Sequence, residues 1–140
     1  MGSKSDYLEA KVLDHVLGAT TFTPPATVYL ALFSALPSDS GGGTELTTGT
    51  APGYARVAVT NNATNFPAAF GTSPTSKKLG VAQSFPANSG GSAWPNAIGW
   101  AMFDASTGGN LLLHGPMNAL ACGVGQQVVF PADAVLWTED

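Results

Sequence analysis

Along the first twenty residues the apolar positions are Leu8, Val12, Leu13, Val16 and Leu17. That spacing is one face of a 3.6-residue period and predicts an amphipathic helix. Ser5 is the expected N-cap, Asp6 and Glu9 suit the positive end of the helix dipole, and Gly18 is a natural stop. Three turns of helix are marginal alone. The segment must therefore dock, either on its own domain or on a neighbour.

Beyond residue 20 the pattern turns extended. In Thr27–Ser34, Val28, Leu30 and Leu32 point to one side and Tyr29, Ala31 and Phe33 to the other, which predicts a central strand buried on both faces. Further strands are expected at residues 54–60, 79–85, 97–103, 111–117, 126–131 and 134–138. Residues 37–53 and 61–76 read as long polar connections, and Asp104–Asn110 as a tight Asx- and Gly-rich turn. Short strands with Gly, Pro and Asn breaks, behind a single helix, predict an all-β fold: a jelly-roll-like β-sandwich of short antiparallel strands with one N-terminal α-helix. The expected organisation is an N-terminal arm and helix over residues 1–18 and a sandwich over residues 19–140, one domain overall.

Composition sharpens this picture. Of 140 residues only 10% are charged, against 44% hydrophobic, with 17 Gly and 10 Pro. About 25% charged is usual, so the surface is built from small neutral groups. It makes most sense if partner subunits cover part of it, and a homo-oligomer, dimer or trimer, is expected. The five cations, Lys4, Lys11, Arg56, Lys77 and Lys78, are too few and too scattered to track phosphates, so no nucleic-acid partner is expected. No stretch approaches the roughly 20 apolar residues of a membrane span. The start has no secretory pattern, and Asp6 stands where a myristoylation signal has Ser or Thr. No membrane or lipid attachment is expected.

Candidate chemistry is sparse. His15 sits on the helix and reads as a polar helix residue; His114 follows three leucines and reads as a strand-end histidine. Cys122, the only cysteine, lies among small apolar residues and reads as a buried hydrophobe. A Cys122–His114 nucleophilic pair would need spatial proximity, and nothing nearby in sequence supplies an activating charge. The metal-binding spacings HxH, HExxH and CxxC are absent, as are phosphate-cradling glycine motifs. No enzyme activity, cofactor or metal is therefore expected. Trp94, Trp100 and Trp137 read as core or interface packing, with sugar stacking as the alternative.

Four segments resemble a known family. They are Ser5–Gly18, Pro25–Phe33, Gly53–Val59 and Gly99–Leu112, which includes Gly-Trp-Ala-Met-Phe-Asp-Ala-Ser-Thr-Gly-Gly-Asn-Leu-Leu. In order, they are similar to small virion structural proteins of tailed bacteriophages, whose members are described as tail-fibre or minor structural proteins. Residues 61–78 and 115–125 depart from that pattern. The resemblance brings no catalytic motif. It implies a virion protein made in the host cytoplasm.

The expectation drawn from composition is a capsid cement or decoration protein on the capsid exterior. It would bind the major capsid protein or other virion proteins through broad apolar contacts. A tail-fibre or tail-tip component is the alternative, disfavoured by the lack of a fibrous repeat; a glycan-binding module for host attachment is a third reading. The expected contact segments are those without a strand pattern, with Leu8, Val12 and Val16 on the helix and Leu46 in the 37–53 loop as anchors.

Overall fold

The computed structural model describes residues 2–139; the Met1 and Asp140 ends of the expected ranges lie outside them. The described chain forms strands β1 (Ser3–Lys4), β2 (Thr27–Ala35), β3 (Thr44–Glu45), β4 (Val57–Thr60) and β5 (Thr75–Lys78). It continues through β6 (Gln83–Ser84), β7 (Ala97–Phe103), β8 (Leu111–Leu120), β9 (Val129–Phe130) and β10 (Leu136–Glu139), with helix α1 (Asp6–Leu17) after β1. The fold is all-β, antiparallel and sandwich-like with one N-terminal helix, as the sequence pattern predicts.

The two layers are unequal. One is a six-stranded sheet in the order β1-β8-β7-β2-β3, with β4 also paired to β2. The other consists of two ribbons, β5–β10 and β6–β9. Leu30, Met102 and Leu113 stand in register across β2, β7 and β8 on the inner face. They meet Leu79, Phe85, Phe130, Val135 and Trp137 from the ribbon side in one core. Rings in that core pack edge to face, Phe85 on Phe130 and Phe66 on Trp137. Close approach has a specific cause at one seam. A Cβ on Gly2 or Gly115 would come within 2.6 or 2.8 Å of the Trp100 ring, so two glycines let β1 and β8 lie flat on the indole.

β2 is central, as expected, with β7 on one edge and β3 and β4 on the other. Its outer face is also buried: Ala31, Phe33, Ala101 and Leu111 form a second cluster with Phe103. It is covered by its own chain, with Leu36 lying on Gly99 and Arg56 stacked on the Phe103 ring.

Other expectations shift. Of the strand expected over residues 79–85 only Gln83–Ser84 forms one, as β6, and β5 ends just before that range, at Lys78. Leu79 N–H donates to Val135 O and the side chain is buried, but Gly80 N–H turns to Asn65 O and Val81 is exposed. The chain crosses from one ribbon to the other at this point. The 37–53 connection contains β3, and its Leu46 and Ala51 are in the core. It is anchored by its own chain and is not a free strap.

Candidate functional site

Ser5 caps α1 as expected: its Oγ accepts Leu8 N–H at 3.2 Å and donates to Leu111 O, while Gly18 N–H closes the far end on Asp14 O. This fixes the start of the helix at the head of β8. The same junction gathers Ser3, Asp39 and His114. His114 Nε2 lies 2.9 Å from Asp39 Oδ1 and 3.3 Å from Ser3 Oγ, and Ser3 Oγ donates to Asp39 Oδ1 at 3.2 Å.

The three residue types are those of a nucleophilic triad, but the geometry is different. A relay needs serine on one imidazole nitrogen and the carboxylate on the other. Here both oxygens converge on Nε2, and the serine hydroxyl is bonded to the carboxylate itself. The arrangement works as a latch. Asp39 O also accepts Asp6 N–H at 3.0 Å, so the 36–43 loop is tied to β1, β8 and the first turn of α1. The hydrogen bond to His114, with help from Ser3, holds the Asp39 carboxyl below its ordinary range.

A second cluster surrounds Arg56, whose side chain is 7% exposed. Nε and Nη2 donate to the two oxygens of Glu45 at 2.8 Å each, and Nη1 donates to Ala105 O and Gly108 O, also at 2.8 Å. The guanidinium lies 3.7 Å from the Phe103 ring centroid. Tyr54 Oη donates to Glu45 Oε1 and accepts Leu32 N–H, both at 3.0 Å. Burial raises the tyrosine pKa above its ordinary value. Sequence reasoning counted Arg56 only as a cation. The available signal was a lone arginine inside an apolar alternation, Tyr-Ala-Arg-Val-Ala-Val.

The remaining candidates do not come together. His15 is exposed and uses Nδ1 on the backbone of Thr20 and Phe22. Cys122 is 2% exposed with its thiol on Gln126 O at 3.3 Å, and burial raises its pKa. Its hydrogen-bond partners are separate from those of His114. Among the described residues, no group of three or more His, Cys, Asp or Glu is placed to hold a metal ion. Among the same residues, no helix is long and apolar enough to cross a membrane. Trp94, Trp100 and Trp137 are 3%, 4% and 8% exposed, so their faces are used inside the molecule.

The expected contact anchors separate into two groups. Leu46 is 2% exposed and belongs to the chain's own core, because β3 pulls it beneath β2; it offers no surface. Leu8 is half-buried and packs with Tyr7 on the core. Val12 and Val16 are 38% and 69% exposed, and beside them Leu13 and Leu17 are 58% and 82% exposed. The helix rests on the body by its first turn and presents its later turns to solvent.

Residues 3–138 match the family model Gp80, described as podophage GP4 fiber I protein gp80. The chain belongs to that family, a family of phage virion structural proteins. No curated protein matches it.

Proposed function

From that membership we propose that the protein is a non-enzymatic structural component of a phage tail fibre, working by shape and apolar contact. The observation that carries this reading is the match to a fibre family over residues 3–138. The geometry supports it: Ser3, Asp39 and His114 latch three segments together, and Arg56 is engaged in a structural network. The expectation of a capsid cement protein rested on compactness and low charge, which a fibre component shares, and no structural feature favours the capsid. The glycan reading rested on exposed tryptophan faces, and all three are interior.

Immunogold electron microscopy of purified particles tests the proposal. Label confined to the tail supports the fibre assignment. Label spread over the capsid shell returns the cement reading and overturns this one.

A further inference from the structure

After α1 the chain reverses and runs back as a strap, residues 19–26, before β2 begins. Ala19 carries the reversal with φ 53°, in the left-handed region that is costly for a residue with a Cβ. A strained reversal persists only where contacts hold it. Among the described residues, the backbone from Ala19 to Pro24 makes two such bonds through its N–H groups. Thr20 N–H donates to Asp14 O at 3.1 Å, and Phe22 N–H to His15 Nδ1 at 3.3 Å. The strap also matters to the body. Phe22, Pro24 and Pro25 wall an apolar cavity of about 170 Å³ that the core residues Met102, Leu112 and Trp137 line from within.

His15 Nδ1 has a second neighbour, Thr20 O, at 3.3 Å. One nitrogen cannot serve both. It accepts through a lone pair or donates through a proton. Phe22 N–H points at Nδ1, which assigns the lone pair to Nδ1 and the proton of the neutral ring to Nε2.

We propose that His15 is a proton-operated clasp on this strap. Neutral, it accepts Phe22 N–H and holds the strap to the helix. When Nδ1 takes a proton from solvent it becomes a donor, turns to Thr20 O and releases Phe22 N–H. The wall of the cavity then loosens at Phe22, within the interval of roughly pH 5 to 8 where imidazoles change charge. The charged groups around the ring move the midpoint of this exchange and not its direction. On α1 they are the adjoining Asp14, Lys11 over the Tyr7 ring, and Asp6 and Glu9 farther back. The strap carries none. On the strands that α1 packs against, Lys4 pairs with Glu139 and His114 with Asp39. At the cavity wall Lys77 Nζ donates to Pro67 O. His15 is exposed, so the clasp governs local order and leaves the global fold intact. This inference goes beyond the fibre assignment and does not rest on it.

NMR of the isotope-labelled full chain from pH 8.5 to pH 5 tests it. Above the midpoint His15 Nδ1 should resonate as an unprotonated ring nitrogen. The Phe22 amide shift should follow the His15 ring protons with one midpoint. Below it, the order parameters of residues 20–23 should fall from about 0.85, the rigid-backbone value, to under about 0.6. His15→Asn puts a carbonyl oxygen where Nδ1 stands and does not titrate, so its strap should stay ordered throughout. His15→Ala should show the loosened strap at every pH, with a melting temperature close to the parent's. A proton on Nδ1 at the alkaline end overturns the proposal. So does a Phe22 amide that ignores the His15 midpoint, a strap equally ordered on both sides of it, or a pH response that survives in His15→Asn.

Discussion

Removing the Arg56 side chain should be among the most damaging single changes available in this chain. Arg56→Ala deletes both bonds to Glu45, both bonds to the carbonyls of Ala105 and Gly108, and the stack on Phe103. Glu45 is 24% exposed and keeps the Tyr54 hydroxyl, so it is left partly compensated. Breaking a buried pair from one side costs roughly 3–5 kcal/mol. The residual exposure of Glu45 and its Tyr54 bond place the expected loss near the low end, about 3 kcal/mol. Arg56→Lys keeps the charge near Glu45 but lacks the fork that reaches two carbonyls, and should cost about 1–2 kcal/mol.

The assay is urea unfolding followed by tryptophan emission, since all three indoles are buried. With a slope of about 2 kcal/mol per molar urea, Arg56→Ala should lower the midpoint by about 1.5 M. A cycle with Glu45→Ala should return a coupling of about 2 kcal/mol, because the pair shares two hydrogen bonds. A loss below about 0.5 kcal/mol for Arg56→Ala is what an exposed ion pair gives. That result would refute the view that this network holds the 104–110 turn on the sheet.

Three further outcomes follow from the same geometry. The Asp39 carboxyl is held below its ordinary value, so its bond to His114 adds stability that is present above the unfolded carboxylate pKa and is lost as pH falls through the folded one; carbon-detected NMR titration should give a depressed midpoint in the parent and a higher one in His114→Ala, where only the Ser3 bond remains. Cys122 is buried with a raised pKa, so a disulfide reagent should label it only at the rate of unfolding, and labelling at the rate of a free thiol would show the site to be open. Leu8→Ala should cost about 1–2 kcal/mol because Leu8 packs on the core, whereas Leu17→Ala, 82% exposed, should stay within about 0.5 kcal/mol. Thermal unfolding of the dilute proteins checks the pair, and equal losses would mean that the helix is bound along its whole length.

The long strands were legible because burial on both faces writes itself into the residues. β2 and β7 carry apolar groups at nearly every position, and each has neighbours on both edges. The helix was legible through its caps, Ser5 and Gly18. Strands of two residues are too short to carry a period: β1 and β3 were missed as elements, while β6 and β9 are the short paired parts of the longer strands expected over residues 79–85 and 126–131. β5, Thr-Ser-Lys-Lys, is a strand only because β10 pairs with it. The orientation of α1 was not legible either. Its stripe of Leu8, Val12 and Val16 reads as one docking face, for its own domain or for a neighbour, yet only the first turn reaches the core. Helical periodicity identifies an apolar face, but how far the helix extends beyond the body depends on where β8 begins. Likewise, the Arg56 and Asp39 clusters join residues 9 to 111 positions apart, beyond any local pattern.

The few charges of this chain are mostly committed within it, and that bears on how it meets partners. Lys4 pairs with Glu139, Lys78 with Asp133, and Arg56 with Glu45. Lys77 Nζ donates to Pro67 O, and Lys11 lies over the Tyr7 ring. Every lysine and arginine thus has a partner inside the molecule, while three of the nine acids sit on α1. Long-range electrostatic steering has little to act on. What the surface offers is neutral backbone, hydroxyls and exposed apolar groups, above all Leu13, Val16 and Leu17 of the helix. Contacts of that kind respond to salt in the opposite sense to ion pairs: screening removes nothing, and excluded salts strengthen burial. The self-association expected from composition should therefore hold or rise when sodium chloride goes from roughly 50 to 500 mM, a range over which surface ion pairs are largely screened. It should rise further in sulfate. Sedimentation across that series reads the effect, and a steep fall with salt would mean that ion pairs between copies, not the apolar helix face, hold the assembly.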